Sequence, residues 1–481
     1  MTEKLKILFV ASEATPFVKT GGLADVAGSL PQAIKEMGHD IRLVIPEYRQ
    51  IALEYLQQAE HLLHFRTKLG WRDNYVGVNK LENRGVISYF IDNKSYFDRP
   101  NLYENDDKHL QFAYFCQAVL EMLAQIDFKA DIIHCNDWQT GALSIMLKEN
   151  YQKYSFYKDI KTVYTIHNLR YQGVFGREVL QDALSLPDKY WDLGVVHHDN
   201  CVNYMKMGIE MSDIVTTVSR TYAQEIKTPE FGEGLDYAMR MNDDDLYGII
   251  NGISYEDNNP SNDDRIYSNY SVEKLRGKYE NKRRLQEDMG LAQRSDLPVI
   301  ALISRLVDQK GLDLIVSVID KLMEEEIQFI ILGTGDSYYE ERFKETARSY
   351  PTKIAANIKY DATLAQKIYA GSDIFLMPSK YEPCGLSQLF SLRYGSIPIV
   401  RETGGLKDTI QAYDEISGEG NGFTFASYDA NEMLSTIKRA ISLYQQKDIW
   451  TKLVRRAMKS NFSWKNSAKE YIKLYYKLLE K

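Results

Sequence analysis

The string Thr-Gly-Gly-Leu-x-Asp occurs twice in this 481-residue chain, at Thr20–Asp25 and at Thr403–Asp408. Each copy lies where an apolar strand pattern gives way to a helical one. A Gly-Gly pair that opens a helix leaves N–H groups unpaired at the positive end of the helix dipole, which suits an anion. One copy in each half predicts two lobes closing on one phosphorylated ligand. Lys19 precedes the first copy. It either adds a full charge to that helix end, as a diphosphate would need, or is a solvated surface lysine. In the second half, Ser304-Arg305-Leu306 closes a strand pattern and Gln309-Lys310-Gly311 opens the next helix. A guanidinium and an ammonium across such a loop can bracket a pyrophosphate. Glu382 stands before Pro383 and Gly385 at the mouth of a further helix. Its carboxylate either accepts from sugar hydroxyls and steadies positive charge at a reacting carbon, or caps the helix. His134-Cys135-Asn136-Asp137 and Thr165-Ile166-His167 end two strand patterns of the first half. No ligand set accompanies His134 and Cys135, so no metal is expected there. His167 reads as a hydrogen-bonding group at a strand tip. The run Asp243-Asp244-Asp245 reads as a solvated loop.

The elements that must position these groups form two alternating series. Apolar runs at Leu5–Ala11, Ile41–Ile45, Asp131–His134, Thr162–Ile166, Ile214–Val218 and Leu246–Ile250 predict strands. A helix with its apolar face at Leu23, Val26, Ala27, Leu30, Ile34 and Met37 follows the first, with Gly38 as its stop. The polar stretch Asp257–Arg276 reads as a linker or surface excursion. The second series predicts strands at Val299–Ser304, Phe329–Leu332, Ile354–Ile358, Asp373–Met377 and Ile397–Val400. Strands alternating with helices imply α/β architecture with two doubly wound parallel sheets, Rossmann-like lobes whose strand ends point into a cleft between them. The last residues, Ser467–Lys481, read as a terminal helix.

Composition bounds the function. Hydrophobic residues make up 44% and charged residues 26%, as in ordinary globular proteins. A net charge of −8 argues against nucleic acid as a partner. No apolar run reaches the about 18 residues of a membrane span, and the N-terminal residues have no signal-peptide character. Four scattered cysteines without CxxC spacing favour a reducing cytoplasm. Neither GxGxxG nor GxxxxGK[ST] is present, which disfavours a nicotinamide enzyme and a P-loop NTPase.

Taken together, the motifs resemble those of the bacterial glycogen synthase and plant starch synthase family, retaining glucosyltransferases of the GT-B architecture. The carrying segments are KTGGLADVAGSLP from Lys19, FDRPNLY from Phe97, HCNDWQTG from His134, TIHNLRYQG from Thr165 and GIINGI from Gly248. SRLVDQKGLDL from Ser304, PSKYEPCGLSQL from Pro378, RETGGLKDT from Arg401 and FSW from Phe462 complete the order. The resemblance implies transfer of glucose from ADP-glucose to the non-reducing end of an α-1,4-glucan, glycogen or a malto-oligosaccharide. It implies no cofactor and no metal. It casts Glu382, Arg305, Lys310, His167 and Asp137 as catalytic. Lys19, Gly21, Gly22, Asp25, Asn251, Tyr360, Cys384, Gly385, Leu386, Thr403, Gly404 and Gly405 are cast as substrate contacts. Within that set, Arg305 and Lys310 would hold the diphosphate, the Gly404-Gly405 turn the distal phosphate, and Tyr360 would stack on adenine. The implied domains are 1–255, 256–458 and a C-terminal helix, 459–481, that returns to the first. Two alternatives are a UDP-glucose-using synthase and a non-catalytic glucan- or nucleotide-binding relative. Ser254 replaces the family's usual Asp, and Asn258 stands where Trp is common. The two glycine turns should be unequal, the second forming most of the donor site and the first completing it on closure.

Overall fold

The structure, a computed structural model, describes residues 4–480. The chain forms two compact units, one running to Asn251 and including the segment from Trp464 onward, the other Gly252–Ser463.

The first unit contains strands β1 (Lys6–Val10), β2 (Asp40–Pro46), β3 (Glu60–Leu69), β4 (Arg72–Asn83), β5 (Val86–Asp92), β6 (Ile132–Asn136), β7 (Lys161–Ile166), β8 (Val174–Phe175), β9 (His197–His198), β10 (Cys201–Asn203), β11 (Ile214–Thr217) and β12 (Leu246–Gly248). Nine of them form one sheet in the order β12-β11-β7-β6-β1-β2-β5-β4-β3. From β12 to β5 every neighbouring pair is parallel. The central strands are near-continuous apolar runs because helices cover both faces. The edge departs from the expected all-parallel sheet, since β3, β4 and β5 pair antiparallel. Turn geometry dictates this. Arg84 and Gly85 both take positive φ, 49° and 77°, and join β4 to β5 in a two-residue hairpin. Gly70, at φ 59°, does the same between β3 and β4, leaving Trp71 at the tip. Strands joined so tightly can only run antiparallel. β8, β9 and β10 form a separate small antiparallel sheet.

The C-terminal helix, Trp464–Leu479, packs on the helix Gly22–Glu36 within this unit. Buried Tyr475 reaches His134, its hydroxyl 2.7 Å from Nδ1, and His134 Nε2 meets Thr165 Oγ1 at 2.6 Å. Burial pushes the His134 imidazole down to about 3, so it stays neutral. Both ring nitrogens are thereby committed to holding the terminal helix against the sheet.

The second unit carries β13 (Val299–Ile303), β14 (Gln328–Leu332), β15 (Ile354–Asn357), β16 (Ile374–Met377), β17 (Ile397–Arg401) and β18 (Phe423–Phe425), all parallel, in the order β15-β14-β13-β16-β17-β18. The stretch expected as a linker or surface excursion, Asp257–Arg276, packs into this unit. Tyr270 is buried and donates to Tyr394 O (2.7 Å), while Asp263 is held by Arg265 and by the Tyr394 hydroxyl. Asp263 and Tyr270 both meet Tyr394, far away in sequence, which local composition does not reveal. Asn258 is buried too, its amide donating to Ser254 O at 3.0 Å. Asn258 thus closes its own turn on a backbone carbonyl, a bond that does not depend on the Ser254 side chain.

Candidate active site

In each unit the singled-out residues follow the carboxyl ends of adjacent parallel strands. In the second unit the strand order reverses between β13 and β16, the position at which open α/β sheets leave a crevice. The loops after these two strands are zipped together. Lys380 N donates to Gln309 O (2.9 Å), and Gln309 Nε2 donates to Tyr381 O (3.2 Å). Gly311 takes φ 68°, and a Cβ there would collide with the Pro378 carbonyl, so only glycine permits this approach. The zipper brings Lys310 Nζ to 2.7 Å from Glu382 Oε2, which also accepts from Ser379 Oγ at 3.0 Å. The side chains of Lys310 and Glu382 are only 18% and 9% exposed. Arg305, at the tip of β13, is exposed and has no ion-pair partner among the described residues. Ser304 Oγ beside it and Arg401 Nε at the end of β17 are buried without a hydrogen-bond partner. One strand-tip cluster therefore holds a paired carboxylate, an unpaired guanidinium and polar atoms with unused capacity. Such a cluster can take a polyanion next to a group that tolerates positive charge.

The second glycine turn lies directly on this loop. A Cβ at Gly404, which has φ 45°, would strike the Glu382 carbonyl, and one at Gly405 would strike Cys384. Here the expected phosphate cradle is narrower than anticipated. The Gly405 N–H already donates to Glu382 O at 3.1 Å and Pro383 O at 3.2 Å, because the two loops pack too closely to leave it open. Gly405 thus positions Glu382. Thr403 is buried at the start of the helix Gly404–Thr409. Gly385, at φ 72°, and Leu386 precede the helix Ser387–Arg393, and Gln388 Nε2 ties Cys384 O and Gly385 O at 3.0 Å each. Tyr360 follows β15 and is 83% exposed, its ring free of packing.

In the first unit, Lys19 is held by Asp25, with Nζ 2.6 and 2.7 Å from the two carboxylate oxygens. The charge expected to face a ligand is thus shared with Asp25, three residues into the helix that Gly22 opens. Behind the turn lies a residue that motif reading passed over. Buried Glu13 accepts from the Thr20 N–H and hydroxyl, both at 2.6 Å, and burial raises its pKa above the usual range. A lone Glu after a strand gives no local sign that it holds a turn seven residues on.

Asp137 follows β6 with φ 57° and ψ 178°, a conformation that is essentially glycine's alone. It is held there from several sides. Its N–H donates to Thr165 O (2.9 Å), its carbonyl accepts from Thr140, and its Oδ1 accepts the His167 N–H at 2.7 Å. Burial pushes its carboxyl up to about 7 and the His167 imidazole down to about 3. His167 Nε2 lies 2.9 Å from Asn136 Oδ1. The amide orientation is fixed because Asn136 Nδ2 donates to Val10 O and His134 O. Neutral His167 must therefore carry its proton on Nε2, leaving Nδ1 as an acceptor. Asn251, after β12, is buried with Oδ1 unpartnered. The structure thus gathers Asp137 and His167 around Asn136, while the acidic run at 243–245 forms a short 3-10 turn with Asp243 paired to Lys227 at 2.7 Å. Among the described residues, no group of three or more His, Cys, Asp or Glu is arranged to hold a metal ion.

Residues 6–241 match the family model described as the starch synthase catalytic domain, and residues 286–457 match glycosyl transferases group 1. The chain is 51% identical over 475 residues to the glycogen synthase of Desulforamulus reducens, covering 99% of both chains. It is 48% identical over 477 residues to that of Geobacillus stearothermophilus, covering 99% of this chain and 98% of the relative. Among solved structures, the catalytic domain of starch synthase IV from Arabidopsis thaliana, bound to ADP and acarbose, superposes with a TM-score of 0.91 at 32% identity over all of both chains. Sucrose-phosphate synthase from Thermosynechococcus elongatus, at 14% identity and a TM-score of 0.63 over 99% of this chain and 100% of its own, shares the fold alone. On these full-length relatives and family matches, the chain belongs to the glycogen and starch synthase family of glycosyltransferases.

Proposed function

We propose that this glycosyltransferase moves glucose from ADP-glucose to the non-reducing end of an α-1,4-glucan, with retention of configuration. The observation that carries the reading is the buried Lys310–Glu382 pair beside the unpaired Arg305. Glycosyl transfer builds negative charge on the departing diphosphate and positive charge on the sugar ring. Arg305 and Lys310 offset the first, and the Glu382 carboxylate tolerates the second. When a diphosphate takes up part of the Lys310 charge, Glu382 keeps Ser379 as a donor, so its carboxylate is not stranded. The Nδ1 of His167 accepts from a sugar hydroxyl, and Asn251 Oδ1 has the same capacity. Tyr360 offers an exposed ring to the base. ADP agrees with the nucleotide bound in the plant relative, at 32% identity. The four free cysteines fit a cytoplasmic setting, and no described helix is long and apolar enough to cross a membrane. Purified protein offered ADP-glucose or UDP-glucose with glycogen, without added metal, tests the donor. Incorporation from ADP-glucose is expected, and incorporation from UDP-glucose alone would overturn the assignment.

A further inference from the structure

Asn136 and His167 end neighbouring parallel strands. Asn136 is the last residue of β6, in register with Thr165 of β7, and His167 stands just beyond β7. The backbone of His167 is pinned, since Asp137 Oδ1 accepts its N–H at 2.7 Å. Its ring makes a single hydrogen bond, between Nε2 and Asn136 Oδ1 at 2.9 Å. Among the described residues Nδ1 has no partner, and the residue is partly exposed. The imidazole therefore presents one free nitrogen, aimed in a fixed direction.

What that nitrogen can do is decided by Asn136, which is fully buried. Its Nδ2 donates to Val10 O at 3.0 Å and to His134 O at 3.3 Å, the carbonyls of two adjoining strand ends. Turning the amide over would set its oxygen against both carbonyls and its N–H groups against the ring. The sheet backbone thus dictates the amide, and the amide dictates that the ring proton sits on Nε2. A carboxylate at this position would hold the same proton but add a negative charge. It would favour the imidazolium, which donates from both nitrogens. The amide orients the ring without charging it. His134, behind Asn136, adds no charge either, because it is neutral and both its nitrogens are engaged by Tyr475 and Thr165. Nδ1 is left as a lone pair that can meet a hydroxyl but repels a phosphate oxygen.

We propose that Asn136 is a positioning residue of the transfer reaction: its amide fixes the tautomer of His167, so that the imidazole meets the sugar as a hydrogen-bond acceptor only. The proposal rests on the placement of His167 beside the reacting sugar. Its first test needs no donor, so the two can fail separately. The chain has eight histidines, and 15N labelling of them, with His167→Ala to assign the signal, reads the tautomer in the free protein by NMR. At neutral pH the His167 proton is expected on Nε2. Asn136→Leu keeps the bulk but removes the acceptor, so both tautomers should appear and kcat with ADP-glucose should fall about tenfold. In a His167→Ala background the same change should cost less than about twofold, because there is no ring left to orient. A residue that only stabilised the strand ends would lower turnover equally in both backgrounds, and that result would overturn the proposal. So would a wild-type ring protonated on Nδ1 or on both nitrogens, an outcome that needs no variant to fold. Full turnover of His167→Ala would instead remove the placement on which the proposal rests.

Discussion

Replacing Lys310 by methionine removes the cation from a carboxylate that has almost no water to fall back on. The Glu382 side chain is 9% exposed and would keep only the Ser379 hydroxyl, at 3.0 Å, as a donor. Breaking a buried pair from one side costs about 3–5 kcal/mol, and the partial exposure of Lys310 places this case near about 3 kcal/mol. Glu382→Gln is milder, about 1 kcal/mol, because the amide still accepts from Ser379 and Lys310 can turn toward water. The double variant, Lys310→Met with Glu382→Gln, leaves no buried charge and should lie within about 1 kcal/mol of the wild type. The cycle therefore predicts strong non-additivity, with a coupling of about 3–4 kcal/mol. Trp450 is the sole tryptophan of the second unit, so fluorotryptophan incorporation and urea titration would follow that unit's unfolding by fluorine NMR. Additive effects, or a Lys310→Met change below about 0.5 kcal/mol, would refute the claim that a desolvated ion pair links the two loops.

Three further outcomes are expected. The Asp137 carboxyl, pushed from 3.8 to about 7 by burial, keeps its proton in the native state over a window where the unfolded chain has lost it; stability should therefore fall as pH rises from about 4 to about 7. Its ionised form is the stronger acceptor for the His167 N–H, so kcat/KM should rise with pH across about 7, a step that a pH profile of Asp137→Asn should lack. Gly404→Ala forces a side chain against the Glu382 carbonyl at φ 45°, costing at least about 1–3 kcal/mol of strain; turnover should collapse while a circular dichroism spectrum stays native-like. Tyr475→Phe removes a partner from buried His134 and should lower stability by about 1–2 kcal/mol in thermal unfolding, with turnover unchanged.

Sequence reading reached the strand tips and stopped at what lies between them. Arg305 and Lys310 were legible because β13 is an apolar run ended by a loop, and strand ends in parallel sheets face ligand sites. Their inequality was not legible. Lys310 pairs with Glu382 across 72 residues, through a loop-to-loop zipper that leaves no local pattern. The two Thr-Gly-Gly turns look alike in sequence, yet Glu13 holds the first while the second donates to Glu382 O. The β3–β4–β5 edge carried readable turn signals in Gly70 and in Arg84-Gly85, but its strands mix polar and apolar residues too irregularly to stand out beside the parallel runs. The stretch 257–276 looked like a linker because its order comes from buried polar partners such as Asp263 with Arg265 and Tyr394. Hydrophobic periodicity is blind to such partners.

The central claim is that the Lys310–Glu382 cluster performs glucosyl transfer, and turnover tests it most directly. Glucose incorporation from ADP-glucose into glycogen should be measured for the wild type, Lys310→Ala and Glu382→Ala, with the fold of each variant verified first. Loss of transition-state electrostatics predicts that both variants fall by at least about 10²-fold in kcat. Near-normal turnover in both folded variants would contradict it.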